Sequence, residues 1–188
     1  MERCGWVTAD PLYIKYHDEE WGIPRHDDRY LFEMLVLEGA QAGLSWFTVL
    51  KRRENYRDCL DGFDVDKIAL YDESKLAALM QNEGIIRHRL KIDSLVTNAQ
   101  AFKKIQNEFG SFSSYLWNYT GGTPIFNRWK SLQEVPARTE LSDAISKDLK
   151  KRGFKFFGTT ICYAFLQATG VVNDHTINCF CHPDHQKD

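Results

Sequence analysis

Apolar positions along this chain recur at helical spacing, and no segment alternates in the manner of a strand. The clearest stripe begins behind Asp27-Asp28, whose carboxylates can cap the first free amides of a helix, and carries Leu31, Leu35 and Ala42 on one face. A second helix follows Ser45 and runs from residue 46 to about residue 59. The same spacing predicts helices over 73–82, 86–109, 112–119, 141–152 and 159–169, with glycine closing several of them. Residues 121–138 hold two of the five prolines and read as an ordered loop. The pattern therefore predicts an all-α protein. No repeat, low-complexity tract or Pro/Ser-rich linker divides the 188 residues, so 1–188 is expected to form a single domain, two helical lobes around one pocket being a variant of that plan.

One polar residue breaks the first stripe. Glu38 lies seven residues after Leu31 and three after Leu35, on the face that should be buried. A buried carboxylate needs donors, a cation or an open pocket beside it. A glutamate at the stripe's edge, bonded to a helix end, is the commoner arrangement. The aromatics in this part of the chain favour a pocket: Trp6, Tyr13, Tyr16, Trp21 and Trp46 supply indoles and phenols that suit a planar cation. Directly before Trp46, Gly43-Leu44-Ser45 presents one apolar side chain at a turn. It reads either as a buried helix–helix corner or as a wedge that enters a base stack.

The segment from Lys147 to Gly170 reads as helix, turn, helix. SKDLKKR leads into Gly153-Phe-Lys-Phe-Phe-Gly158, and Thr159 opens the second helix. Two glycines permit a sharp turn and leave amides free at a helix start, where an anion is favoured. Lys155 adds a point charge. That is the logic of a helix-hairpin-helix, which grips a DNA phosphate without reading sequence; an ordinary αα-corner is the alternative. In Gly84-Ile-Ile-Arg-His-Arg89 the arginines can serve the same end or pair with surface acids.

Composition narrows the setting. Net charge is −2, which argues against a broad basic DNA-binding face but not against a grip on a few phosphates. Residues 147–155 nevertheless concentrate five Lys or Arg. No run of eighteen apolar residues exists and the first residues lack a signal-peptide plan, so a cytoplasmic protein with no membrane partner is expected. In a reducing compartment the five cysteines suit burial or metal ligation better than disulfides. His175 and Cys179 are spaced one helical turn apart, and Cys4 with His17 forms a pair near the other end. Together they would make a closed Cys2His2 zinc site with no seat for water. Cys181, His182 and His185 are rival ligands.

RCGWV, DPLYIKYHDEEWG, LEGAQAGLSWFTVLKRRENYR, GIIRHRLKI, KKRGFKFFGTTICY and GVVNDH, in this order over nearly the whole chain, resemble the 3-methyladenine DNA glycosylase I family. The least family-like stretch is 110–141. The resemblance implies a helix-hairpin-helix DNA glycosylase that flips 3-methyladenine out of alkylated double-stranded DNA and hydrolyses its glycosidic bond, the first step of base-excision repair. It implies one structural Zn2+ on Cys4, His17, His175 and Cys179, joining the two ends. Glu38 would contact the damaged base and serve the reaction, with Tyr16 and Trp46 shaping and stacking in the pocket and Trp6, Tyr13 and Trp21 completing its wall. Gly43 and Leu44 would fill the gap left in the duplex, and the hairpin (Gly153, Lys155, Gly158 and Thr159) would hold the backbone. Nothing in this plan requires more than a monomer. The wider superfamily places a catalytic aspartate near the position of Asp174, which here runs straight into a presumed zinc ligand. Two other readings remain: a zinc-stabilised DNA-binding module whose pocket is only core, and a zinc-clasped helical interaction protein.

Overall fold

The computed structural model describes residues 2–185. Ten helices are formed among them: α1 (Pro11–Glu19), α2 (Asp28–Gln41), α3 (Trp46–Leu50), α4 (Arg53–Cys59), α5 (Val65–Ile68), α6 (Glu73–Gln81), α7 (Arg89–Phe109), α8 (Phe112–Asn118), α9 (Glu140–Lys151) and α10 (Thr159–Ala168). The protein is mostly helical, with one departure from the all-α expectation. Ile125–Phe126 (β1) pairs in parallel with Val172–Asn173 (β2), two residues on each side. So short a pairing leaves no periodicity to read.

α2 is the central element. Every side chain from Leu31 to Glu38 is buried, so the helix is enclosed on all sides and a single stripe does not describe it. Ala42, expected on that stripe, lies exposed just past the helix end. Asp27 caps α2 by accepting from the Tyr30 amide. Asp28, the first residue of the helix, accepts from the Phe112 and Ser113 amides and so fixes the start of α8 against the start of α2. Phe102 of α7 and Phe112 of α8 stack 4.2 Å apart over this junction.

The expected helix over 46–59 is two helices. Lys51 and Arg52 close the first turn back onto Phe47 and Val49, and α4 starts at Arg53. Its first residue then points inward, where Arg53 Nε donates to Glu33 at 2.5 Å and Nη1 to Glu20 at 2.7 Å. Arg57 donates to the same Glu33 carboxylate at 2.9 Å. α7 begins at Arg89 rather than at residue 86, because His88 caps it through the Lys91 amide. α1 and α5 were not among the expected helices.

A second, smaller core forms where the chain's two ends meet, built on Cys4, Tyr16, Trp21, Leu50, Cys179 and Cys181. Backbone bonds hold the ends together: the Gly22 amide donates to Gln167 and the Arg25 amide to Thr169. Gly170, at φ +69°, lies against the Ile23–Pro24 peptide so closely that a Cβ would overlap it. Residues 175–179 are not helical. His175 and Cys179 meet through a tight turn instead, in which the Cys179 amide donates to Thr176 at 2.8 Å. No helix among the described residues is long and apolar enough to cross a membrane.

Candidate functional site

α2 carries two buried carboxylates with opposite fates. Glu33 is matched by two arginines, whereas Glu38, 3% exposed, has an Oε2 with no hydrogen-bond partner among the described residues. Removal from water without a compensating charge pushes the Glu38 carboxyl up to about 8. Beside it lies a cavity of about 300 Å3 lined by Trp6, Tyr13, Tyr16, Trp21, Glu38 and Trp46, which brings all six of the expected pocket residues together. Its size is at the lower end for small-molecule sites and accommodates one aromatic base.

The aromatic wall is built mainly by α1 and the segments around it. Tyr13 and Tyr16 project from α1, whose start is fixed by Pro11 and an Asp10 cap. Trp6 packs 5.0 Å from Tyr13 and 5.0 Å from Trp21, and Tyr16 lies 5.3 Å from Trp46 at the start of α3. Two indole nitrogens, Trp6 Nε1 and Trp46 Nε1, are buried without an acceptor among the described residues. Burial pushes the Tyr16 phenol well up, so it is a neutral donor at any physiological pH. The cavity thus offers unspent donors and one unspent carboxylate oxygen on an aromatic surface. Buried orphans of this kind are costly and are ordinarily satisfied.

Apart from Asp174, the far wall holds residues the sequence did not single out. Tyr163 and Gln167 of α10, the 135–137 segment and Asp174 complete the lining. Asp174, 1% exposed, accepts from Asn127, Trp129, Tyr163 and Gln167. The i, i+4 spacing of Tyr163 and Gln167 on α10 was a usable signal; Asn127 and Trp129 lie in a loop and carried none.

Cys4, His17, His175 and Cys179 converge behind this wall, all buried, with their ligand atoms within 4.8 Å of one another. Cys4 Sγ stands 3.4 Å from His175 Nδ1, and Cys179 Sγ stands 3.4 Å from His17 Nε2 and 3.5 Å from His175 Nδ1. The remaining ring nitrogens are committed outward: His17 Nδ1 to Asp18 at 2.7 Å and His175 Nε2 to the Trp21 carbonyl at 2.9 Å. Arg3 in turn anchors Asp18 at 2.7 Å. Orienting partners of this type are characteristic of metal-ligating histidines. Donation from Cys181 and Cys4 pushes the Cys179 thiol down, while Cys4 and Cys181 are pushed up by donating to it. Of the rival ligands, Cys181 donates to Cys179 and groups with His17 and Asp18, outside the four-residue set. His182 turns to the Asn127 carbonyl and His185 to that of Ile177. The cluster can hold a metal ion.

The remaining expected positions lie at two surface turns. Leu44 is 40% exposed, so Gly43-Leu44-Ser45 is not a buried corner. Gly43, at φ +81°, makes the turn, Ser45 caps α3, and Lys91 donates to the Ala40 and Ala42 carbonyls at 3.1 and 3.0 Å. In the α9–α10 hairpin Gly153 takes φ +102°, while Phe154 and Phe157 are buried. Asn98 clamps the Lys155 peptide, accepting from its amide at 2.8 Å and donating to its carbonyl at 3.1 Å. Lys155 itself is exposed. Gly158 caps α10 without a side chain, and the Thr159 hydroxyl is spent on Asp143 at 2.6 Å, so the first amides of α10 keep no side-chain partner. Arg87 and Arg89 pair with the surface acids Glu83, Glu73 and Asp93.

The fold and the site are those of a helical protein with an unsatisfied carboxylate under an aromatic pocket and a protruding apolar side chain a few residues along the chain. Comparison with known proteins specifies the class. Residues 6–182 match the family described as Methyladenine glycosylase. The chain is 54% identical to DNA-3-methyladenine glycosylase 1 of Escherichia coli (strain K12), over 97% of this chain and 98% of that protein. A crystal structure of 3-methyladenine DNA glycosylase I superposes with a TM-score of 0.94 at 55% identity, covering 97% of this chain and all of that one. A second, of a variant in complex with 3-methyladenine, superposes with a TM-score of 0.94 at 37% identity, covering 97% and 98%. The chain belongs to the methyladenine glycosylase family.

Proposed function

We propose that this protein excises 3-methyladenine from alkylated DNA by hydrolysing the N-glycosidic bond, with the cavity above Glu38 receiving the flipped base. The observation that carries the assignment to this cavity is the unpartnered Oε2 of a fully buried Glu38 under an aromatic wall. A methyl group on N3 gives the adenine of the lesion a positive charge. Only a cation repays the desolvation that holds Glu38 protonated, so an unmodified, neutral adenine gains far less from this pocket. Tyr16 and the unsatisfied Trp6 and Trp46 indoles supply donors for the base's lone pairs, and Trp46 offers a stacking face.

The charge also weakens the bond to be broken. As the bond from N9 to the anomeric carbon lengthens, its electron pair moves into the purine ring and neutralises it, while positive charge builds on the sugar. Water adds to the anomeric carbon and its proton passes to solvent. Free neutral 3-methyladenine and an abasic sugar result. Glu38 binds and orients the cation, and no covalent bond to the protein forms.

In this reading Leu44, held out by Gly43 and by the Lys91 brace on α2, fills the gap the base leaves. The α9–α10 hairpin serves as a helix-hairpin-helix whose free amides at Thr159 and beyond, with Lys155, grip a phosphate. The Cys4, His17, His175 and Cys179 cluster would hold zinc. Tetrahedral zinc, with bonds of about 2.3 Å to sulfur and about 2.05 Å to nitrogen, sets sulfur and nitrogen roughly 3.5 Å apart. The separations of 3.4 to 3.5 Å fit that geometry. With four protein ligands such an ion would supply rigidity and no reactive water. The protein acts as a cytoplasmic monomer on duplex DNA.

The test is single-turnover excision from methylated duplex with chromatography of the released bases. The unsubstituted protein releases 3-methyladenine with little 7-methylguanine, and Glu38→Gln slows release strongly with an unchanged far-UV spectrum. Unaltered kinetics in that variant would remove Glu38 from the mechanism, and absence of any released base would favour a DNA-binding module without activity.

A further inference from the structure

Asp174 follows β2 and is almost fully enclosed, yet it lines the same cavity as Glu38. Its Oδ1 accepts from Asn127 Nδ2 at 2.7 Å and Trp129 Nε1 at 2.8 Å, and its Oδ2 from Tyr163 at 2.6 Å and Gln167 Nε2 at 2.8 Å. A carboxylate that receives four donated bonds acts only as an acceptor. Each partner is thereby fixed as a donor toward it. Tyr163 spends its single proton, and Gln167 must turn its amide nitrogen to Asp174 rather than its oxygen.

Both of those side chains also line the cavity. What they have left to offer a ligand is the phenol oxygen's lone pairs and the Gln167 amide oxygen, which has no hydrogen-bond partner among the described residues. We infer that Asp174 sets the hydrogen-bond polarity of this wall, holding Tyr163 and Gln167 as acceptors so that the pocket selects purines that present an amino group over those that present a carbonyl at the same edge. The inference rests on the reading of the cavity as the base pocket. A wall of acceptors meets an amino group with hydrogen bonds and meets a carbonyl with opposed lone pairs, a contrast that hydrogen-bonding sites turn into large discrimination. Asp174 touches no ligand in this scheme; it is a positioning residue acting through α10.

The test is a ratio. Binding of 3-methyladenine and 3-methylhypoxanthine, which exchange an amino group for a carbonyl and keep the methyl, is followed by quenching of the indole fluorescence at one pH. The unsubstituted protein should prefer the amino base by at least about 100-fold. In Asp174→Asn the side chain donates where it formerly accepted. Tyr163 can then accept, and the Gln167 amide can reverse to point its nitrogen into the cavity, so the preference should fall at least about tenfold. A merely structural role would weaken both bases alike, and an unchanged ratio overturns the inference. Because Asp174 neighbours His175, Gln167→Leu provides a second readout that leaves Asp174 with three donors. It should weaken the amino base about tenfold and spare the carbonyl base; equal losses overturn the inference. Failure of the unsubstituted protein to bind either base would instead refute the base-pocket reading, and this inference with it.

Discussion

Replacing Glu38 with glutamine keeps the shape of the side chain and removes its capacity to ionise, and it should make the protein more stable. In the folded protein burial holds this carboxyl near pH 8, against 4.5 for the ordinary group. Between those values the folded state keeps a proton that the unfolded chain has lost, so rising pH favours unfolding across the whole interval. Each pH unit of that interval is worth about 1.4 kcal/mol. The cost is then under about 1 kcal/mol at pH 5, about 3 at pH 7 and about 5 above pH 8, figures that water entering the open side of the pocket reduces. A glutamine incurs none of it. At pH 7 the melting temperature of Glu38→Gln should therefore rise by roughly 6 to 12 °C, at 2 to 4 °C for each kcal/mol in a chain of this size.

Thermal or urea unfolding of both proteins at pH 5, 7 and 8.5 tests this directly. Subtracting the parent at each pH cancels what the two share, including protonation of the Cys and His cluster. The stabilisation must grow from pH 5 to pH 8.5. A difference independent of pH, or a variant less stable than its parent at pH 8.5, would refute the claim that Glu38 is held desolvated and without a partner. The expected gain in stability comes with loss of excision, the trade expected where a strained group serves the ligand rather than the fold.

Four further outcomes follow from the same geometry. Affinity for a permanently cationic base such as 3,9-dimethyladeninium should rise nearly tenfold per pH unit from pH 6 toward 8 and level off above, because the ligand needs Glu38 ionised; calorimetry should find the dependence absent in Glu38→Gln, and a flat profile in the parent would contradict it. Leu44→Gly, at an exposed turn, should shift stability by no more than about 0.5 kcal/mol yet slow excision from duplex at least tenfold, with free-base binding by fluorescence unchanged; parallel loss of base binding would make Leu44 part of the pocket. Cys179→Ala should abolish metal binding by mass spectrometry and lower the melting temperature by 10 °C or more, on the order of 3 kcal/mol or above. An unchanged melting temperature would deny the cluster a structural role. Gly170→Ala must relieve both a positive φ and an overlap with the Ile23–Pro24 peptide, so it should cost about 3 kcal/mol or more in urea unfolding, and a cost below 1 would show that the ends can part freely.

Much of the fold was legible because long helices write their own periodicity. α2, α6, α7, α8, α9 and α10 begin or end within a few residues of the spacing's prediction. The break in 46–59 was not legible, since Arg53 is drawn inward by Glu33 and Glu20, acids 20 and 33 residues away in the chain. β1 and β2 escaped for the same reason: their pairing is two residues long and joins positions 47 apart. For the site, the aromatics and Glu38 could be named from local chemistry. The Asp174 network could not, because three of its four donors are ordinary polar residues whose role exists only once α10 and the 125–129 segment are brought together.

The stripe argument that singled out Glu38 reached the right residue through an incomplete picture. α2 is enclosed on every side, so burial alone does not distinguish Glu38 from Glu33. What distinguishes it is the missing partner, beside a cavity wall to which α1 contributes Tyr13 and Tyr16. Along the chain, residues of the metal cluster and of the pocket are interleaved: His17 follows Tyr16 and His175 follows Asp174, while Cys4 reaches both the cluster and the cavity that Trp6 lines. Neighbours in a chain point in different directions, so one short segment can face the ion on one side and the base on the other. Trp21 joins both sides at once, its carbonyl accepting from His175 while its ring lines the cavity. Loss of an ion from the cluster should therefore loosen the Trp6, Tyr13 and Tyr16 wall and leave the Glu38 and Trp46 wall on the main core. The pocket would open toward water from one side, the Glu38 carboxyl would fall back toward 4.5, and the preference for a cation would weaken before the helical core unfolds.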